Sequence, residues 1–148
     1  MKQRWSFFKE KDSSFGLFYP HNYIVAGFDT PTRAQLVEQD FLDAGFAADE
    51  VTSATGDFVV NQLESQDDAS LLDRMKAEIA RIAGTEAGYI DDDLKLARRG
   101  GGFLFVHVPT DADADRALAL LKRAHPIYAR RYLTLAIERL IYPNQSTL

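Results

Sequence analysis

The chain of 148 residues contains no cysteine, which removes several classes of chemistry at once. A disulfide scaffold, a thiolate zinc site, an iron–sulfur cluster and a cysteine nucleophile all require thiols. The sequence also lacks the apolar run of roughly 18–20 residues that a membrane-spanning helix needs. Residues 1–12 alternate charges with Trp5, Phe7 and Phe8 and lack the apolar core of a secretory signal. We therefore expect a soluble, cytoplasmic protein with no membrane partner.

Motifs of catalysis and cofactor binding are equally scarce. There is no Gly-x-Ser-x-Gly elbow, no Gly-Lys-Ser/Thr phosphate loop and no pair of histidines spaced for a metal. Three glycines at 100–102 follow a predicted helix and precede a predicted strand, the reverse of the order in a phosphate-binding loop. Three aspartates at 91–93 would point roughly 100° apart on a helix and cannot converge on one ion. We expect no cofactor and no metal, with the glycines ending a helix and the aspartates solvated in its first turn.

Charge is distributed unevenly, although the net charge is only −5. Residues 57–98 carry ten acidic and five basic side chains, whereas residues 116–139 carry six basic and one acidic. Patches of opposite sign either stay solvated or dock against each other, within one chain or between subunits. An acidic chain is a poor candidate for binding nucleic acid, because such binding depends on neutralising phosphates.

Hydrophobic patterning predicts two strand–helix–strand units. Tyr23–Phe28 and residues 103–108 are apolar at successive positions, as in strands that are buried on both faces. A capped amphipathic helix follows each of them, and then a further strand at Val51–Thr55 or at residues 127–133. The pattern leaves open whether residues 134–141 extend the last strand or form a short helix.

These units predict an α+β fold, a ferredoxin-like sandwich with a four-stranded antiparallel sheet and two crossover helices. The units occupy residues 23–56 and 100–141, and residues 57–99 form an inserted helical segment between them. An aromatic lead-in at 1–22 and a polar tail at 142–148 complete a single domain that spans the chain, residues 1–148.

Three stretches give the chain a resemblance to a known family. They are Tyr-Ile-Val-Ala-Gly-Phe-Asp at 23–29, Ala-Gly-Phe-Ala-Ala-Asp-Glu-Val at 44–51 and the ending at 129–141. Over residues 23–141 the chain resembles a bacterial family loosely called general-stress-protein-like. The resemblance implies a small domain with a ferredoxin-like core and a stress-related role, with no established activity and no functional residues to transfer. Many relatives of this type carry a Gly/Ala-rich, membrane-like middle segment, where this chain has its charged helical insert.

His107 is the most distinctive of the three histidines. It lies on the strongest predicted strand, on the same face as Phe103 and Phe105. A histidine in this position is either a hydrogen-bonded residue of a core or interface, or a pocket residue that binds a ligand or moves a proton near neutral pH.

Tyr128, Arg130 and Tyr132 share one face of the fourth predicted strand, while the intervening residues, Arg131 among them, face the other side. Three interpretations remain open. The first is a subunit interface or an arginine–carboxylate network with the acidic insert. The second is a pocket for an anionic small molecule, and the third is an RNA-stacking surface on an open sheet face.

Our leading hypothesis is a non-enzymatic interaction module or small-ligand-binding module that self-associates as a homo-oligomer. The alternative is a small cofactor-free enzyme with a pocket on the sheet face, in which His107 acts as acid–base and Tyr128 or Arg130 orients the substrate. A second alternative is binding of single-stranded RNA. Beyond these three residues the sequence offers no candidate catalytic group.

Overall fold

A computed structural model describes residues 21–64, 89–133 and 136–142 of the chain. They form an α+β fold in which one open antiparallel sheet of five strands carries helices on both faces. The strands are β1 (Tyr23–Phe28), β2 (Val51–Thr55), β3 (Gly102–His107), β4 (Tyr128–Tyr132) and β5 (Ile137–Ile141). The helices are α1 (Pro31–Asp43), α2 (Gly56–Glu64), α3 (Tyr89–Arg98) and α4 (Asp111–Ala124).

The strand order β2-β3-β1-β4-β5 places the two most apolar strands inside the sheet. β1 pairs antiparallel with β3 on one side and β4 on the other, so that Val25 lies between Phe105 and Arg130. Every residue of β1 and of β3 is buried. This agrees with the prediction, from their apolar character at successive positions, that both faces of these strands are covered.

The prediction of a four-stranded sheet was wrong by one strand. Ile137–Ile141, within the stretch left open between strand and helix, forms β5 and pairs antiparallel with β4. The sequence Ile-Glu-Arg-Leu-Ile has apolar ends around a charged centre, which fits the period of a strand and that of a helix equally well. This segment becomes a strand because it pairs with the edge of β4, and the periodicity of the sequence cannot predict that long-range contact.

Both crossover helices begin where the sequence predicts. The Thr30 hydroxyl accepts a hydrogen bond from the backbone N–H of Arg33 at 3.1 Å, and the Thr110 hydroxyl accepts one from Asp113 at 3.1 Å. Each threonine satisfies a backbone donor that the first turn leaves free.

The helices α1 and α4 cover one face of the sheet, which we call the crossover face. This layer is an apolar core that includes the buried faces of both amphipathic helices. Its main buried residues are Ile24, Ala26, Phe28, Leu104, Val106 and Ala129 from the sheet, and Ala34, Val37, Phe41, Ala117 and Leu121 from the helices.

The helices α2 and α3 cover the opposite face, which we call the insert face. Both come from the segment predicted as a helical insert, and they close a side of the sheet that two crossover helices alone would leave bare. The main buried residues of this layer are Tyr23, Val25, Phe103, Phe105, Tyr128 and Tyr132 from the sheet, and Val59, Tyr89, Leu94, Leu96 and Ala97 from the helices.

A glycine in β1 lets α3 approach the sheet closely. A Cβ atom at Gly27 would lie 2.6 Å from Leu96 Cδ2 and 2.9 Å from Tyr128 Cζ. Past its last turn, α3 ends at Gly100, whose φ is +90°, and the N–H of Gly101 donates to the Leu96 carbonyl at 3.0 Å. The glycine run at 100–102 therefore ends a helix and leads into β3, as predicted.

Some predictions lie outside the described residues. They concern the lead-in up to residue 20, the part of the helical insert at residues 65–88 and the tail beyond residue 142. Among the helices that are described, none combines the length and the apolar character needed to cross a lipid bilayer.

Gly27→Ala should lower the free energy of unfolding by about 1–3 kcal/mol, because the added methyl group would collide with Leu96 and Tyr128. Urea denaturation followed by circular dichroism measures this loss. In a Leu96→Ala background the same substitution should cost less, since the nearest obstruction is then gone. An equal cost in both backgrounds would show that Leu96 does not set the distance of α3 from β1.

Candidate functional site

β4 sends two successive arginines to opposite sides of the sheet. Arg130 shares the insert face with Tyr128 and Tyr132, whereas Arg131 shares the crossover face with Ala129. All five residues of β4 are buried. A buried guanidinium keeps its charge, so the surroundings of each arginine decide what it can do.

Arg130 forms a buried ion pair with Asp93 of α3. Its Nη2 lies 2.6 Å from Oδ1 of Asp93, and its Nη1 lies 3.5 Å from Oδ2. The same Nη1 donates to the hydroxyl of Tyr132 at 2.8 Å. The side chains are only 4% exposed for Arg130 and 13% for Asp93. This pair is the arginine–carboxylate network with the acidic insert that was one of the three open interpretations.

Aromatic side chains enclose this ion pair. The Tyr128 hydroxyl donates a hydrogen bond to Asp93. The guanidinium carbon of Arg130 lies 4.4 Å from the ring centroid of Tyr128 and 4.7 Å from that of Tyr89, within range of cation–π attraction. The expectation that Asp93 is solvated was therefore wrong, because the docking of α3 turns this carboxylate toward β4.

Protonation states in the cluster are fixed by burial and by the enclosed charges. Burial raises the pKa of Tyr132 to about 12, against the opposing effect of Arg130. Burial also raises the pKa of Tyr128 well above its usual range, and the charge of Asp93 adds to this. For Arg130, burial alone would lower the pKa, but Asp93, Tyr132 and Tyr128 together outweigh burial and the pKa is raised. None of these three groups exchanges a proton near neutral pH, so they suit structural anchoring and not acid–base catalysis.

His107 lies elsewhere on the insert face. Its ring centroid is 4.8 Å from that of Tyr23, and its Nδ1 is 3.8 Å from Oε2 of Glu50. Because β1 separates β3 from β4, His107 is two strands away from Tyr128 and Arg130. The structure thus brings Tyr128 and Arg130 together around Asp93 and does not bring His107 to them.

The surface proposed for RNA stacking is covered as well. Tyr128 and Tyr132 are 2% and 3% exposed, in the core layer that includes α3. Bases stack on ring faces that they can reach, and these rings offer none in this conformation.

Reasoning from the sequence missed a groove on the crossover face. It lies between α4 and the paired strands β4 and β5 and has a volume of about 670 Å³. Apolar walls, one buried cation and an acidic rim line it. The apolar walls are Leu118, Leu133 and Leu140, and the buried cation is Arg131. The acidic rim consists of Asp111, Asp115 and Glu138.

Arg131 in this groove is only partly compensated, in contrast to Arg130. The residue is 8% exposed. Its Nη1 donates to Oδ1 of Asp111 at 3.0 Å, but the Asp111 side chain is 93% exposed. Its Nε is buried and has no hydrogen-bond partner within the part of the chain that the structure describes. A guanidinium carries five N–H donors, so Arg131 can bind a further anionic group.

A sequence signal for Arg131 existed in the alternation of β4. Arg131 falls on the apolar face of that strand, opposite Ile24 of β1, and a charge on such a face implies a partner or a ligand. The second wall of the groove is β5, which the sequence did not specify as a strand. Without that wall, the alternation shows a buried arginine but not the space beside it.

Two other features of the described residues give weaker evidence for a functional site. No three histidine, aspartate or glutamate side chains in this part of the chain are placed to hold a metal ion. A second groove of about 470 Å³ lies between α1 and α4, but the charged side chains that line it, such as Arg33 and Arg123, are all exposed. Arg33 already donates to the carbonyl of Ala124 at 2.9 Å.

Asp93→Asn should lower the free energy of unfolding by about 3–5 kcal/mol, because it leaves the buried charge of Arg130 without its counter-charge. Asp91→Asn is the matched control, since it makes the same charge change at an exposed position of α3. We expect it to change the free energy of unfolding by less than about 1 kcal/mol. Urea denaturation at neutral pH compares the two variants, and equal losses would contradict the role assigned to Asp93.

Stability should fall as the pH rises from about 10 to about 12. In this range Tyr128 and Tyr132 ionise in the unfolded chain but stay protonated in the folded chain. The folded state then binds more protons than the unfolded state. The free energy of unfolding is therefore at its full value below the pKa of the tyrosines in the unfolded chain, and above that pKa it declines by about 1.4 kcal/mol per pH unit for each tyrosine. Urea denaturation at several alkaline pH values measures the slope. Tyr132→Phe should remove one tyrosine's share of it, and an unchanged slope would count against the raised pKa of Tyr132.

Comparison of the chain with models of known protein families, with curated protein sequences and with solved structures finds no match. The resemblance to a bacterial general-stress-protein-like family stays a prediction.

Proposed function

We propose that this chain is a non-enzymatic, small-ligand-binding module that holds its ligand in the groove between α4 and the strands β4 and β5. One observation carries the proposal. The guanidinium of Arg131 is almost wholly buried at a groove of about 670 Å³, yet among the described residues it is hydrogen-bonded only to one exposed carboxylate. A volume of roughly 300–1,000 Å³ is usual for sites that bind small molecules.

The scaffold we propose for this module is a ferredoxin-like core with one added edge strand. The strand–helix–strand unit occurs twice, in β1-α1-β2 and in β3-α4-β4. The sheet order of these four strands, β2-β3-β1-β4, places the first strands of both units side by side at its centre. This interleaving supports the assignment. In it, β5 extends the sheet beyond β4 and provides the second wall of the groove.

Energetics favour a ligand at Arg131. A buried donor left without an acceptor costs about 1–3 kcal/mol, and more when the group is charged. A ligand that accepts from this guanidinium recovers that cost only in the bound state. Such differential stabilisation of the native state is what a binding site requires.

The enzyme alternative has less support. Its three residues occupy two environments, because Tyr128 and Arg130 are bonded to Asp93 while His107 lies beside Tyr23 and Glu50. The groove contains no histidine. The side chains of the groove therefore suit the binding of a ligand better than its chemical conversion.

Self-association has less support than ligand binding. β5 is an edge strand with Glu138 and Arg139 near its middle, and charges on an edge strand oppose pairing with another chain. The proposal accordingly rests on the groove and does not require a second copy.

Small probes that share one apolar body should reveal the groove. The full-length chain is labelled at its leucine methyl groups and titrated to millimolar concentration with isovalerate, isoamylamine, isovaleramide and L-leucine. At least one probe should shift the methyl resonances of Leu118, Leu133 and Leu140 saturably, because these side chains line the site. The methyl groups of Leu36 on α1 and Leu96 on the insert face are internal controls. No shift in the groove with any probe, or larger shifts at Leu96, would contradict the proposal.

A further inference from the structure

We propose that the ligand of this groove is a zwitterion of the amino-acid type with an apolar side chain. This inference rests on the proposed function and adds the chemical class of the ligand. Its carboxylate would bind Arg131, its ammonium group the acidic rim, and its side chain the leucine walls. Each of these parts follows from a different set of residues.

The carboxylate is assigned by Arg131. The planar fork of a guanidinium matches the two oxygens of a carboxylate, which gives two parallel charge-assisted hydrogen bonds. The present acceptor, Asp111, is an almost fully exposed side chain held by one bond at 3.0 Å. A ligand carboxylate can share or replace that bond without opening the core.

The ammonium group is assigned by the acidic rim. Asp111 and Asp115 lie four residues apart on α4, with Glu138 across the groove on β5, directly opposite Arg131 in the strand register. The groove thus carries three negative charges against one positive charge, and an anion without a cation would be repelled. Since no three metal-ligating side chains converge in the described residues, the cation that fits this rim is an organic one.

The apolar part of the ligand is assigned by three leucines of the groove. Leu118 lies on α4, Leu133 directly follows β4 and Leu140 lies in β5. All three are partly exposed, so their remaining surface can be covered by a ligand. A small polar zwitterion would leave this surface in water, which is why the side chain of the ligand is expected to be apolar.

Two sources present this chemistry, a free apolar amino acid and a short apolar peptide. Both carry one carboxylate, one ammonium group and an apolar body, but the peptide places its charges farther apart. L-leucine and L-leucyl-L-leucine distinguish them, because the tighter binder of the two identifies the spacing that the groove accepts.

The decisive experiment compares dissociation constants by calorimetry and by the leucine methyl shifts of the full-length chain. The ligands are the tighter zwitterion and its two singly charged derivatives, the N-acetyl form without the cation and the amide without the anion. The zwitterion should bind about tenfold or more tightly than either derivative, since each lost charged hydrogen bond removes at least that factor. Equal binding of either derivative would overturn the inference.

Variants assign each charge to its residue. Arg131→Met should abolish the preference for the zwitterion over the amide, and Arg131→Lys, which keeps the charge but not the fork, should retain part of it. The double variant Asp115→Asn, Glu138→Gln should reduce the preference over the N-acetyl form several-fold. Two control variants change exposed charges outside this groove. Arg123→Met is matched to Arg131→Met, and the double variant Asp29→Asn, Asp43→Asn is matched to the double variant of the acidic rim. Controls that reduce the preferences as strongly would overturn the assignment.

The outcomes separate this inference from the proposed function. If neither the zwitterions nor the derivatives shift Leu118, Leu133 and Leu140, the groove is not a binding site and both fail. If a singly charged derivative binds there as tightly as the zwitterion, the groove is a site but the ligand class is wrong.

Discussion

The ion pair between Arg130 and Asp93 connects the helical insert to the sheet, and the rest of the insert face depends on that connection. Two charges removed from water are tolerated only where both are compensated. Here the carboxylate accepts from the guanidinium and from the Tyr128 hydroxyl, and the guanidinium lies against aromatic rings. With α3 held in this way, Leu96 lies against Gly27, and the side chains that β1 directs to the insert face are buried.

Adjacent arginines on one strand have opposite consequences for function. Arg130 is compensated by Asp93 within the described part of the chain, and it lies beside Tyr128 and Tyr132, whose pKa values are raised by burial. Arg131 faces the other way, and within the residues that the structure describes it is bonded only to one exposed carboxylate. The alternation of side chains along β4 thus places the ion-paired arginine on one side of the sheet and, on the other side, the arginine of the binding site that we propose.

Local chemistry explains which features were predictable from the sequence. Thr30 marks the start of α1 because capping needs only neighbouring residues, and the apolar character of β1 and β3 at successive positions shows that both faces are covered. Long-range contacts explain the rest. Three successive aspartates on a helix do not reveal that Asp93 is the one facing β4. The strand β5 is decided by pairing with β4, and the groove beside Arg131 exists only once β5 is in place.

A double-mutant cycle between Arg130 and Asp93 measures whether this ion pair holds the helical insert to the sheet. Arg130→Met, Asp93→Leu and their combination are compared with the original chain by urea denaturation. We expect the combined variant to be more stable than the sum of the single losses implies, with a coupling energy of at least about 2 kcal/mol, because each single change leaves a buried charge without its partner. Losses that add to within about 0.5 kcal/mol would show that the two side chains act independently and that this pair does not hold the insert to the sheet.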